Sequence, residues 1–457
     1  SVGQTSCIIF NPTTNAWTTT GSLVAGRYSH TAVVLDNGDV AVIGGQASGS
    51  VMVNTVEVWN STTGVWATTV TLLPRTLSAN VFRHASGRWI VVAGMTTPTT
   101  TAGIQTAIEV LSTNMTVLDF TSASVCNSGG FATQLSNGDI VVAGREFTGP
   151  GTSIDGSSVT VIDVNPASTA GTDPVTSSTL YPAVLPNAVS TPTLEKFAGD
   201  DRVLSFSNAT GNIGDLSILT VNYSGTAPTS VTRLAGPPVS GARARNFVTM
   251  NRTPDGGIII GPGAPTGMNA LPAADVYLPA AIGLSGTLTP LTVAPRRSYH
   301  SATLQDGRVL FIGGRSGGLT GPLRFDSEAV SSDASAQGSL TARPPICIAS
   351  VPTSGTRGFT TTTTSVRLIF SGELEAATAV NGNFEWSING GAFTAPASVQ
   401  LQNRREVVIQ LPAATALVAG NTVVLRLKSP TTLTDRAPTP NTASTTRGAF
   451  SNAWTVR

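Results

Sequence analysis

The sequence predicts an all-β chain: a succession of repeated four-stranded units followed by a β-sandwich. Three observations predict it. A motif of short apolar strand, tight polar turn and second apolar strand recurs along residues 31–314. The composition favours strands and turns, with 47 Gly and 28 Pro among 457 residues. Beyond residue 345 the motif stops while strand-like alternation continues.

The clearest copies of the motif are TAVVLDNGDVAVIGG (31–45) and SATLQDGRVLFIGG (301–314). Between them lie NVFRHASGRWIVVAG (80–94), ATQLSNGDIVVAG (132–144), a degenerate EKFAGDDRVLSF (195–206) and VTMNRTPDGGIIIGPG (248–263). Asn-Gly and Asp-Gly supply the positive φ angles of a tight hairpin turn, so each copy reads as a β-hairpin. A third strand follows each hairpin: TVEVWN, AIEVLS, VTVIDV, LSILTV and ADVYLP in turn. The period is roughly 50–60 residues, that of a four-stranded β-propeller blade. Six hairpins predict six blades, with seven left open by the irregular 140–260 stretch. Residues 5–20 read as third and fourth strands with no hairpin before them. The last hairpin has one further strand at 326–330. A ring closed by both chain ends is therefore expected over 1–345, which removes exposed strand edges.

After Arg343-Pro344-Pro345 the chain has no Tyr and no His. TSVRLIF, FEWSI, REVVIQL and NTVVLRL read there as short strands between turns. The pattern predicts a β-sandwich over 346–457, and it resembles the immunoglobulin-like modules of bacterial surface proteins.

Charge excludes several functions. Charged residues are 11% of the chain and the net charge is +1, against about 25% charged in an average soluble protein. Nucleic-acid binding through a basic surface is excluded. So is disorder, since 40% of residues are hydrophobic. No apolar run approaches the roughly 18–20 residues of a membrane helix. Cys7, Cys126 and Cys347 form no CxxC, which argues against a zinc site, and a Cys7–Cys347 disulfide is left open. The chain starts at Ser1 without a basic-then-apolar leader, which reads as a removed leader or a start inside a longer product.

Finer matches carry a family resemblance. VEVWNSTTGVW (56–66) aligns with CIIFNPTTNAW (7–17). Arg27 and His30 in GRYSHTA, and Arg297 and His300 in RRSYHSA, precede first strands, and Gly44-Gly45 and Gly313-Gly314 close second strands. This resembles a kelch-type β-propeller. Tyr299-His300, the DGRV turn at 306–309 and Ala342-Arg343-Pro344 further resemble the last blade of galactose oxidase and related copper radical oxidases, which also join a kelch propeller to an immunoglobulin-like domain. That resemblance implies copper held by Tyr299 and His300, with Tyr28 as second tyrosine. The family's further histidine has no counterpart in 346–457, and Cys126 falls two blades from Tyr28. Copper(II) favours a tetragonal N,O set, and one imidazole with two phenols leaves it short of nitrogen.

Glu57, Glu109 and Glu328 recur in third strands and read as structural partners of backbone or arginine. With no complete catalytic set, the expectation is a non-catalytic extracellular protein without cofactor, at a cell surface or in a virion, recognising a glycan or protein and open to self-assembly. The alternative is a copper radical oxidase with an incomplete or altered metal site. Arg27, Tyr28 and His30, matched one for one with Arg297, Tyr299 and His300, are the expected binding cluster at the channel mouth, where fixed donors and aromatic faces suit sugars or carboxylates.

Overall fold

The computed structural model describes residues 3–11, 16–73, 79–96, 104–126, 128–149, 152–189, 192–197, 201–209, 213–239, 245, 248–253, 257–265, 269–279, 283–304, 308–317, 322–324, 326–330, 347–351, 355–359, 363–370, 374, 376–402, 406–412, 417–418, 421–428 and 451–456. The Asp306-Gly307 turn and the 342–345 junction lie outside these residues. The chain divides into two compact units, Ser1–Leu194 with Ser205–Arg233, and Glu195–Leu204 with Leu234–Arg457.

In the first unit, β1 (Ile8–Asn11) and β2 (Ala16–Thr19) form a two-stranded sheet of their own. Four-stranded antiparallel meanders follow: β3 (Thr31–Val34), β4 (Val40–Ile43), β5 (Thr55–Trp59) and β6 (Trp66–Thr71), then β7 (Asn80–Arg83), β8 (Trp89–Val92), β9 (Ala107–Leu111) and β10 (Leu118–Val125). The next sheet runs β11 (Ser128–Gln134), β12 (Ile140–Gly149), β14 (Val159–Val164) and β15 (Val175–Tyr181), with β13 (Thr152–Ile154) added to the far end of β12. β16 (Thr193–Lys196), β17 (Val203–Ala209), β18 (Ile213–Ser224) and β19 (Ala227–Ala235) form another sheet, which lies wholly in neither unit. In the second unit come β20 (Met250–Arg252), β21 (Ile258–Ile260), β22 (Ala273–Leu278) and β23 (Thr287–Thr292), then a three-stranded sheet of β24 (His300–Thr303), β25 (Val309–Ile312) and β26 (Ser327–Val330). The paired strands of every hairpin read from the sequence are present. The chain is all-β, and the succession of meanders is β-propeller-like.

Turn chemistry closes the hairpins. Gly38 and Gly138 take φ of +86° and +96°. The Asn37 and Asn137 side chains accept the N–H of Asp39 and Asp139 at 3.1 and 2.9 Å. Central strands are buried on both faces, as in WIVV of β8 and III of β21, because neighbouring sheets pack face to face. Ile90, Val92 and Ile108 share a core with Ile140, Val142 and Ile162 of the following sheet. Each such side chain contributes about 1.5–3 kcal/mol when fully buried.

Two elements depart from the sequence reading: among the described residues β1 and β2 pair with each other and not with the last hairpin, and an extra return strand follows the third hairpin. Residues 145–149, without strand signal, extend β12, and 152–154 pair with them as β13. Glu146 holds the return by accepting the N–H of Ser157 and Ser158 at 3.1 and 3.0 Å.

The sheet type changes after Val330. β27 (Cys347–Val351), β29 (Ser365–Phe370), β32 (Glu406–Gln410) and β31 (Ser398–Gln402) make one sheet in that order. β28 (Gly355–Phe359), β34 (Ser451–Val456), β33 (Thr422–Leu427) and β30 (Phe384–Ile388) make another, with β28 parallel to β34. Val366, Leu368, Val407 and Ile409 of the first meet Phe384, Trp386, Val423 and Leu425 of the second in one core.

Candidate functional site

The approach to the first strand is built around a buried arginine in several sheets. Arg27 donates from Nη1 to the carbonyls of Gly44 and Thr55 at 3.0 and 2.9 Å, and it pairs with Glu57, both side chains at 0% exposure. Glu57 also accepts the N–H groups of Val24 and Ala25, at 2.7 and 3.0 Å. In the β24–β26 sheet the same wiring is made by Arg296. Its Nη1 donates to the carbonyls of Gly313 and Asp326 at 3.1 and 3.2 Å, it pairs with Asp326 and Glu328, and Glu328 accepts the N–H of Ala294 at 2.9 Å. Arg245 repeats the theme, with Nε on the carbonyl of Gly261 at 3.0 Å and Nη2 2.8 Å from Asp275. Glu109 accepts the N–H of Leu73 at 2.9 Å. The third-strand carboxylates are therefore partners of arginine and backbone.

This geometry corrects the sequence alignment by one residue. Arg27 corresponds to Arg296, Tyr28 to Arg297, His30 to Tyr299 and Thr31 to His300. Ser29 and Ser298 both take left-handed backbone, at φ +55° and +51°. Tyr28 exchanges backbone hydrogen bonds with Gln46, as Arg297 does with Arg315. A Cβ on Gly45 would meet His30, and one on Gly314 would meet Tyr299. Matching by tyrosine and histidine identity missed this. The signal was the Arg-x-Ser spacing shared by Arg27-Tyr28-Ser29 and Arg296-Arg297-Ser298.

The six residues of the expected binding cluster differ in burial. Arg27 is buried and committed to Glu57. Arg297 is buried too, and burial together with the neighbouring Arg315 lowers its pKa. Tyr299 is buried against Phe311, edge to face at 5.4 Å between ring centroids. Its hydroxyl donates to the Pro262 carbonyl at 2.9 Å and accepts from Thr249 N–H and Oγ1 at 3.2 and 3.1 Å. Burial pushes this phenol up to about 12, against the opposing influence of Thr249, Arg245 and Arg296. Tyr28 and His30 are half-buried, and His300 is exposed. Three of the six residues thus lie inside the fold. Cys7 and Cys126 are free thiols. Among the described residues no helix is long and apolar enough to cross a membrane.

No protein-family model and no curated protein matches the chain. Solved structures do. One is described as a novel fungal alcohol oxidase with catalytic diversity among the AA5 family, in complex with copper. It is 14% identical, with a TM-score of 0.58 over 99% of this chain and 91% of that one. The likeness is one of fold. It nevertheless corrects the expectation of a non-catalytic binding protein without cofactor, because a protein aligned with it over 99% of this chain is described as an alcohol oxidase in complex with copper.

The residues first considered for copper do not fit it. Tyr299, just before β24, is buried, whereas His300, the first residue of β24, is exposed. Both acceptor positions of the Tyr299 oxygen are taken by Thr249. Among the described residues no three His, Cys, Asp or Glu side chains group closely enough to hold a metal.

Proposed function

We propose that this chain is an oxidase of the galactose oxidase type with an altered metal site, acting on an alcohol. The observation that carries this reading is the fold likeness to the copper-bound alcohol oxidase over 99% of the chain. The Tyr299-His300 and DGRV motifs add to it. The site is altered because the Tyr299 oxygen is committed to Thr249 and Pro262, so no step is drawn through the metal. The test is metal content of the purified protein by mass spectrometry, with peroxide release from primary alcohols and sugars in air. Copper near one equivalent with alcohol-dependent peroxide is expected. Neither copper nor peroxide after copper loading overturns the reading.

The architecture we infer is a kelch-like propeller of six blades over 1–345, closed by both chain ends, then an immunoglobulin-like sandwich over 346–457. Six sheets of three or more strands among the described residues before 331 support the blade number. The strand orders β27-β29-β32-β31 and β28-β34-β33-β30 correspond to sheets A-B-E-D and A′-G-F-C of an immunoglobulin fold. Trp386 fits as the buried tryptophan of strand C. An extracellular location and a glycan or protein partner complete the proposal.

A further inference from the structure

We infer that Tyr299 is a structural strut tying the β20–β21 hairpin to the approach of β24, and that any copper site in this chain is built without its phenol. The inference deepens the oxidase reading and rests on it only where copper is concerned. Thr249 and Pro262 flank that hairpin, just before β20 and just after β21, and both bond the Tyr299 hydroxyl. One oxygen therefore gathers three hydrogen bonds from the two ends of one hairpin. The hydroxyl proton points to the Pro262 carbonyl oxygen, which accepts and cannot donate. Both lone-pair directions face Thr249 donors. A metal ligand needs a deprotonated phenolate with a lone pair turned to the ion, so ligation would break all three bonds inside a packed core.

Packing agrees with this assignment. Tyr299 belongs to the core that joins Ile259, Ala274 and Val276 of the β20–β23 sheet to Val309 and Phe311 of the next. Gly261 is the device that admits the hydroxyl: a Cβ there would sit 2.1 Å from the Tyr299 oxygen, and the glycine N–H meanwhile bonds the Thr249 carbonyl at 2.8 Å. In the first unit His30 holds the corresponding position behind Gly45. The tyrosine is thus a local variant of a repeated structural position, with a longer reach.

The experiment compares full-length wild type with Tyr299→Phe, Thr249→Val and Gly261→Ala by thermal melting and by Cu(II) titration followed by visible absorption. A strut predicts a Tm lowered by about 5–10 °C in Tyr299→Phe, a smaller fall in Thr249→Val, and a fall at least as large in Gly261→Ala. Copper uptake and its spectrum should be the same in wild type and Tyr299→Phe. The inference is overturned by a phenolate-to-copper charge-transfer band that disappears in Tyr299→Phe, or by an unchanged Tm in that variant. If Tyr299→Phe does not fold, the other two variants decide: melts unchanged in both overturn the strut. A wild type that takes up no copper defeats the oxidase reading alone, and the melts still judge the strut.

Discussion

Replacing Glu57 by alanine tests the buried wiring directly. The substitution leaves the Arg27 guanidinium charged at 0% exposure and removes the acceptor for the N–H groups of Val24 and Ala25. Breaking a buried pair from one side costs about 3–5 kcal/mol, since an uncompensated charge stays behind. The orphaned N–H groups of Val24 and Ala25 are only part-buried, so each adds less than the roughly 1–3 kcal/mol of a fully buried donor. The bonds from Arg27 to Gly44 and Thr55 persist and offset part of this. A net loss of about 5 kcal/mol lowers Tm by roughly 10–20 °C for a body of this size. Circular dichroism melts at fixed protein concentration provide the readout. The control is Arg83→Ala, which breaks an ion pair with Asp36 whose side chains are 45% and 56% exposed. Exposed pairs contribute about 0–1 kcal/mol, so the control should melt within a few degrees of wild type. If Glu57→Ala melts with the control, the buried-pair reasoning is wrong. The double variant Arg27→Met with Glu57→Leu should recover much of the loss, since it removes both charges together.

Four further outcomes are expected. Gly314→Ala combines φ of +91° with a Cβ placed 2.7 Å from the Arg297 carbonyl, and should cost about 1–3 kcal/mol in a denaturant titration; a neutral effect would contradict the backbone conformation. Tyr299, with its pKa raised by burial to about 12, contributes stability that is complete below pH 10 and is lost as pH rises toward 12; absorbance at 295 nm should show its ionisation there, and ionisation of every tyrosine by pH 10 would refute the burial. His84 is held neutral: its Nδ1 accepts the Ser86 N–H at 3.1 Å, so Nε2 carries the proton and faces the Asn165 carbonyl at 2.8 Å. Burial lowers its pKa from 6.5, so its contribution is complete above 6.5 and fades as pH falls below it, and His84→Gln should flatten the acid side of the stability profile. Residues 346–457 expressed alone should give a β-type spectrum and one cooperative melt, since Val366, Phe384, Val407 and Leu425 close a core without other segments; a disordered spectrum would place the boundary elsewhere.

The strands were legible because their signal is local. Alternation, apolar runs and Asn-Gly or Asp-Gly turns depend on neighbours within about ten residues, so every hairpin from β3–β4 to β24–β25 was readable. The return strand β13 was not, since its hold on the chain is the Glu146 carboxylate bonding residues 11 and 12 positions further on. The carboxylates of β5 and β26 were recognisable as structural because they recur with the period of the fold.

The sequence by itself determined the all-β class, the order of hairpins and the change of sheet type beyond Val330. It also brought together the residue types at the approach to each first strand. Only the tertiary structure decided what those residues do. Tyrosine and histidine letters aligned Tyr28 with Tyr299, whereas left-handed Ser29 and Ser298 align Tyr28 with Arg297 and His30 with Tyr299. The physical reason is the two-residue period of a strand: a shift of one position moves a side chain from the solvent face to the core. Tyr299 therefore ends on Thr249 and Pro262 inside the fold, while His300 beside it faces out.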